Sequence, residues 1–179
     1  MTGIEEMFQH CVSSILEHEG GLSLDRRDPG GATQWGISLR YLRSIGYDVN
    51  GDGKIDKEDI IGLPLKGAIG IYRKYWWDKL RYAAFNELVV VEKVFDLAVN
   101  CGSSQSHKFL QRAINEIGEN KLVVDGILGG LTFGAANRSD GNKLRQLIRE
   151  QAEEFYLNLI KKNPDFSVFK NGWLRRAKW

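Results

Sequence analysis

Glu19 is the residue whose type and position point most directly to chemistry. It stands three residues after Leu16, four after Ile15 and seven after Val12, which puts its carboxylate on the apolar face of a helix. The last turn of a helix carries the negative end of the dipole, so place and face both favour the protonated acid over the anion. A carboxylic acid that keeps its proton near neutral pH can donate it to a leaving oxygen. Gly20 and Gly21 follow at once and let a polymer backbone approach. By position alone a plainer role is the stronger one: a half-exposed glutamate bonded to a neighbouring arginine.

A second set of oxygens lies in Asp48-Val-Asn50-Gly-Asp52-Gly53-Lys54-Ile55-Asp56-Lys-Glu-Asp59. Side-chain oxygens fall at loop positions one, three, five and nine, glycine at six and a carboxylate at twelve, the EF-hand pattern. The expected ligands of a structural Ca2+ are Asp48, Asn50, Asp52, Asp56 and Asp59, with Lys54 giving its backbone carbonyl. Asp59 is shorter than the usual glutamate, which works against bidentate ligation. The bland alternative is a pair of Asn-Gly and Asp-Gly turns with a solvated acidic face. No cofactor is expected for catalysis.

These groups need a scaffold, and the apolar periodicity predicts a mainly helical one. Ile4, Phe8, Cys11, Val12 and Ile15 predict a helix over 4–18, stopped by Gly20-Gly21. The glycines and proline within 22–36 predict a loop or a short irregular hairpin. Ser38 caps a short helix through Ile45, closed by Gly46, and Pro64 opens another through residue 80. Further helices are expected at Glu87–Asn100, from a Ser103 or Ser104 cap to Ile117, over 131–137 and at Asn142–Lys161. Tyr72 and Trp76 read as core, and the aromatic tail with Phe166, Phe169 and Trp173 is expected to dock on the body. The fold class is thus mainly α, a helical bundle with a small hairpin or irregular loop after the first helix and an EF-hand-like loop.

Composition narrows the function classes. The 179 residues carry 25 Lys and Arg against 23 Asp and Glu, a net charge of +2, which argues against a dedicated nucleic-acid binder. Hydrophobic residues make up 42%, enough for a sizeable core. Cys11 and Cys101 are too few and too far apart for a disulfide framework or a zinc site. No apolar run reaches the length of a membrane span. Met1–Phe8 has no basic start followed by an apolar run, so synthesis in the cytoplasm is expected, and action elsewhere would need a separate means of release.

The wider string around Glu19 carries the most specific signal. Glu19-Gly20-Gly21, Asp28-Pro29-Gly30-Gly31, Thr33 and Gly36-Ile37-Ser38 resemble the signature of glycoside hydrolase family 108, the phage-type N-acetylmuramidases once called secretion activators. The resemblance implies an α+β lysozyme-like fold, endolysin-like cleavage of the β-1,4 bond between MurNAc and GlcNAc in peptidoglycan, and Glu19 as general acid. Leu22 departs from it, standing where the family usually has an aromatic. Asp28 and Thr33 are the matching polar positions, suited to hydrogen-bonding a sugar or orienting a water. Asp28 also suits an ordinary Asp-Pro-Gly turn. Asp25 and Asp28 are the candidates for a second carboxylate, and Trp35 for stacking on a sugar.

Farther on, Phe95–Gly102, Phe109–Ala113 and Val124–Gly129 resemble the predicted peptidoglycan-binding region that accompanies this family. Asp125-Gly126-Ile127-Leu128-Gly129 with Thr132 also echoes a turn of other peptidoglycan-binding modules. The plain alternative is a turn, with Thr132 as a cap and Ile127 and Leu128 as core. Asn100 is a candidate substrate contact, and the basic tail (Lys161, Lys162, Arg175, Arg176, Lys178) suits an anionic wall or plain solvent. The expected organisation is a catalytic region over 1–93 and a binding region over 94–179, packed as one globular unit with peptidoglycan glycan strands as partner and a holin or exporter for release to the wall. The alternative from another class is a non-catalytic wall-binding or secretion-accessory protein.

Overall fold

In the computed structural model, which describes residues 3–19, 21–24, 31–118 and 121–179, the chain is mainly α-helical and divides into two units, Met1–Lys79 and Leu80–Trp179. The first unit opens with helix α1 (Gly3–Glu19), which buries Phe8, Cys11, Val12 and Ile15 on one stripe. Each such side chain taken out of water contributes about 1.5–3 kcal/mol. Arg73 fixes the other end of α1: its Nη1 donates to Glu5 Oε2 at 2.6 Å, and its guanidinium lies 4.8 Å from the Phe8 ring centre.

The hairpin is short. Strand β1 (Thr33–Gln34) runs antiparallel to β2 (Ile37–Ser38), with Thr33 opposite Ser38 and Gln34 opposite Ile37. Ser23 extends the ladder through two backbone bonds to Thr33, at 2.8 and 2.9 Å. The two turn residues, Trp35 and Gly36, have φ of +53° and +76°, the twist that two-residue hairpins favour. Ser38 then caps helix α2 (Leu39–Ile45), its hydroxyl accepting from the Tyr41 N–H, and Gly46 closes it in the left-handed region. Helix α3 (Lys57–Gly62) starts in a capping box of Asp56 and Asp59. Helix α4 (Leu65–Tyr72) continues into a wider π-type turn over Arg73–Asp78. Widening the turn narrows the angle between successive side chains, so the adjacent Trp76 and Trp77 are both buried, against Tyr41 and Phe8 respectively.

The second unit is built on helix α5 (Leu88–Cys101), buried at every position from 90 to 98. Helices α6 (Ser103–Ile117), α8 (Gly141–Lys162) and α9 (Lys170–Lys178) pack in the same unit, with the short α7 (Gly130–Ala136) against α6. The buried polar residues of α5 explain why α9 docks. Arg176 Nη2 lies 2.8 Å from Asp96 Oδ1, and Lys93 Nζ donates to the Arg176 carbonyl at 2.6 Å. The aromatic tail folds back as expected, Trp173 stacking on Tyr156 at 5.2 Å.

Three local expectations are corrected. Helix α6 is preceded by Gly102, at φ +90°, and Ser103 is already helical, so no serine side chain caps it. Ile127 is not core but 67% exposed, because the turn at Gly126 faces it outward. Arg176 is not a solvated basic residue of the tail; it is buried against Asp96.

Candidate active site

Glu19 ends α1, and the hairpin turn comes back to meet it. A Cβ added at Gly36 would lie 2.5 Å from Glu19 Cγ and 2.9 Å from its Cδ, and closer still to the Tyr72 hydroxyl. The acid and the phenol therefore converge on the spot where residue 36 has no side chain. Glycine is required there twice over, by contact and by its φ of +76°. Tyr72 is fully buried at the end of α4, and its hydroxyl donates to the Trp35 carbonyl at 2.9 Å. Trp35 is held in its left-handed conformation from the other side as well, its indole N–H donating to the Leu63 carbonyl at 3.1 Å. A non-glycine residue in that region costs about 1–2 kcal/mol, so these two bonds hold a strained turn in place. The Gln34 amide oxygen beside it is buried and finds no hydrogen-bond partner among the described residues.

Of the residues singled out in the sequence, Thr33 and Trp35 are on the hairpin that faces Glu19. Thr33 is half-buried, its hydroxyl donating to the Gly31 carbonyl at 3.3 Å. Asp25 and Asp28 lie outside the described residues. Asn100 belongs to the second unit, where its side-chain carbonyl accepts from the Tyr156 hydroxyl at 2.6 Å. Two participants lie outside the sequence expectations. Tyr72 reads as core on helical spacing, and no local signal brings its hydroxyl to the hairpin, 37 residues back in sequence. Gly36 is a matched position to which the sequence assigns no physical role; the close approach of Glu19 and Tyr72 supplies one.

The Asp48–Asp59 loop is tightly self-bonded. Asp48 accepts from the Gly51 and Gly53 N–H groups at 2.7 and 2.8 Å, and Asp52 from Lys54 at 2.8 Å. Asn50 accepts from Asp52 and Asp56 from Glu58, at 3.0 and 2.9 Å. Asp59 is fully buried, with Oδ1 accepting from Val49 and Asn50 and Oδ2 from Asp56. Burial alone would raise the Asp59 carboxyl, but the backbone N–H groups outweigh it and hold the group below its ordinary value. Both oxygens at loop position twelve are thus engaged by backbone N–H groups, Oδ2 in the cap of α3 and Oδ1 on the start of the loop. Among the described residues no three of His, Cys, Asp and Glu are grouped so as to hold a metal ion. The donor types and spacing at Asp48, Asn50, Asp52 and Asp56 fit a hard cation; the engagement of Asp59 does not.

In the second unit, the turn echoing other peptidoglycan modules is clamped from α6. Gln111 donates to Asp125 Oδ1 and to the Ile127 carbonyl and accepts from the Gly126 N–H. His107 bridges the Gly126 carbonyl and the Tyr82 hydroxyl, each at 2.9 Å. Thr132 is buried within α7 rather than capping it, since Gly129 precedes that helix without a side-chain bond.

Comparison with known proteins bears on the family and the fold. The family model described as glycosyl hydrolase 108 matches residues 12–102, and that described as predicted peptidoglycan domain matches 105–178. A solved structure, that of Brucella abortus SagA, is similar in fold over 97% of this chain and 91% of its own, with a TM-score of 0.78 at 24% identity. No curated protein matches. Among the described residues no helix is long and apolar enough to cross a membrane.

Proposed function

The chain belongs to the glycosyl hydrolase 108 family, and from that premise we propose that it is an N-acetylmuramidase cleaving the β-1,4 bond between MurNAc and GlcNAc with Glu19 as general acid. Family and peptidoglycan domain together support a peptidoglycan-related glycosidase. The observation that carries the finer reading is the seat of Glu19, a helix-end acid lodged against the hairpin backbone at Gly36. In the proposed reaction the Glu19 carboxyl gives its proton to the glycosidic oxygen as the bond to the MurNAc anomeric carbon breaks. A water attacks that carbon from the far side and gives up a proton, so one water is consumed and a reducing MurNAc end appears. Asp25 and Asp28 are the candidates for the base that takes the water's proton, while Thr33 and Trp35 are the candidates for a hydrogen bond to the sugar and for stacking on it.

Glu19→Gln tests the reading. The wild type is expected to clear a suspension of Gram-negative sacculi and the variant to lose roughly 10²–10⁴-fold, the usual share of a general acid. Mass spectrometry of the digest should find reducing-end muramic acid. Equal clearing by both proteins would remove Glu19 from the mechanism, and anhydro ends would make the enzyme a lytic transglycosylase.

We propose a structural Ca2+ for the acidic loop, held by Asp48, Asn50, Asp52 and Asp56 side chains and the Lys54 carbonyl, with Asp59 in the cap of α3. The ion would pin the segment between α2 and α3 and take no part in hydrolysis. Chelation is expected to lower the melting temperature and added Ca2+ to restore it; a melt indifferent to both would overturn the assignment.

A further inference from the structure

We propose that the groove between α6 and α8 binds the peptide stem of peptidoglycan, as distinct from its glycan. The groove encloses about 510 Å3, within the range of small-ligand sites. Its walls are two helical stripes: 105, 109, 112 and 116 on α6, and 151, 154, 155, 158 and 162 on α8. Phe109 and Phe155 meet in it edge to face, ring centres 5.5 Å apart, and give it an apolar floor. Around that floor stand two cations, Arg112 and Lys162, and two anions, Glu116 and Glu154. None of the four enters an ion pair within 4.0 Å among the described residues. The Gln151 amide oxygen is buried there with no hydrogen-bond partner among the described residues.

The chemistry of the lining selects the ligand. A glycan strand offers hydroxyls and acetamides but few charges, so it would cover four charged groups without compensating them. A stem peptide offers carboxylates for Arg112 and Lys162 and the free amine of its diamino acid for Glu116 or Glu154. The methyl groups of its alanines suit the two phenylalanines. Every residue of the lining falls within the segment matched by the peptidoglycan domain. The assignment rests on peptidoglycan as the partner of this chain but does not need the muramidase chemistry.

The test uses the full chain carrying Glu19→Gln, so that nothing is turned over, and three probes. These are a synthetic L-Ala-D-Glu-diaminopimelate-D-Ala tetrapeptide, glycan strands stripped of peptide by an amidase, and the intact disaccharide-tetrapeptide. Binding is followed by calorimetry and by amide chemical shifts. The free tetrapeptide is expected to bind with shifts at residues 105–116 and 151–162, and Arg112→Gln with Lys162→Gln to weaken it at least tenfold. Both substitutions are on exposed side chains, so the melting temperature should not move. No binding of the tetrapeptide, equal binding by the double variant, or shifts in the groove from stripped glycan would each overturn the proposal. Failure of the muramidase reading shows separately, as absent clearing by the wild type with tetrapeptide binding intact.

Discussion

Gly36→Ala isolates the contact on which the candidate active site is built. The new methyl would start 2.5 Å from Glu19 Cγ and 2.9 Å from Cδ, where ordinary contact is 3.4–4 Å, so the acid must move by roughly 1 Å. It would also sit at φ +76°, a conformation that costs an L-residue about 1–2 kcal/mol. Adding the overlap with the Tyr72 hydroxyl, itself bonded to the Trp35 carbonyl, brings the expected loss of stability to roughly 2–4 kcal/mol, or about 5–10 °C in Tm. A displacement of that size at a reacting group costs about 10²-fold in rate, and sacculus clearing should fall accordingly. Tyr72→Phe provides the internal control. On its own it removes a hydrogen bond worth about 1 kcal/mol, but combined with Gly36→Ala it also removes an overlap, so the two losses should be less than additive. The relevant assays are thermal and urea unfolding and turbidity clearing on all four proteins. Wild-type Tm and rate in the Gly36→Ala protein, or a strictly additive pair, would mean that residue 36 does not face Glu19 and Tyr72.

Two further predictions concern the second unit and pH. Lys93 is wholly buried; desolvation, opposed by Asp96, lowers it from 10.5 to about 8. Between those values the unfolded chain holds a proton that the folded one lacks, so stability relative to Lys93→Met should rise with pH across that window, by up to about 3 kcal/mol; urea unfolding at pH 7.5 and 10.5 reads it, and a constant difference would refute it. His107 is lowered from 6.5 by burial, with the Gly126 carbonyl opposing. Its contribution is therefore complete above pH 6.5 and lost as pH falls through the folded value, and His107→Gln should flatten that acid limb of the stability profile; an unchanged slope would place the titration elsewhere.

Elements whose stop signals lie next to them are the legible ones. Ser38 and Gly46 bracket α2 from one residue outside either end, and both act locally through their own backbone or side chain. The hairpin is legible only as one of two alternatives, a loop or a short irregular hairpin, because its ladder is two residues long and its turn puts Trp35, an aromatic, in a conformation normally left to glycine. The gaps in the candidate site have the same origin. Tyr72 reaches Trp35 across 37 residues, and Arg176 reaches Asp96 across 80. Helical spacing reports which face a residue occupies but not what arrives from elsewhere to meet it, so Tyr72 reads as core and Arg176 as surface. The reverse error at Ile127 comes from reading apolar character as burial, when the turn at Gly126 has already decided the direction.

The tie between α5 and α9 also sets an order of events in the making of the protein. Asp96 and Lys93 sit at the centre of the second unit, yet the arginine and the carbonyl that receive them belong to residue 176. A growing chain on the ribosome therefore holds a unit whose central ion pair, Lys93 Nζ to Asp96 Oδ2 at 3.5 Å, still lacks the arginine that completes it. Closing a loop of 80 residues costs about 4 kcal/mol in chain entropy, and the bonds made at residue 176 help to offset it. The first unit closes its own long tie, Arg73 to Glu5, within residues 1–79. Folding during synthesis should accordingly proceed from the front, with the second unit cohering only in a final step.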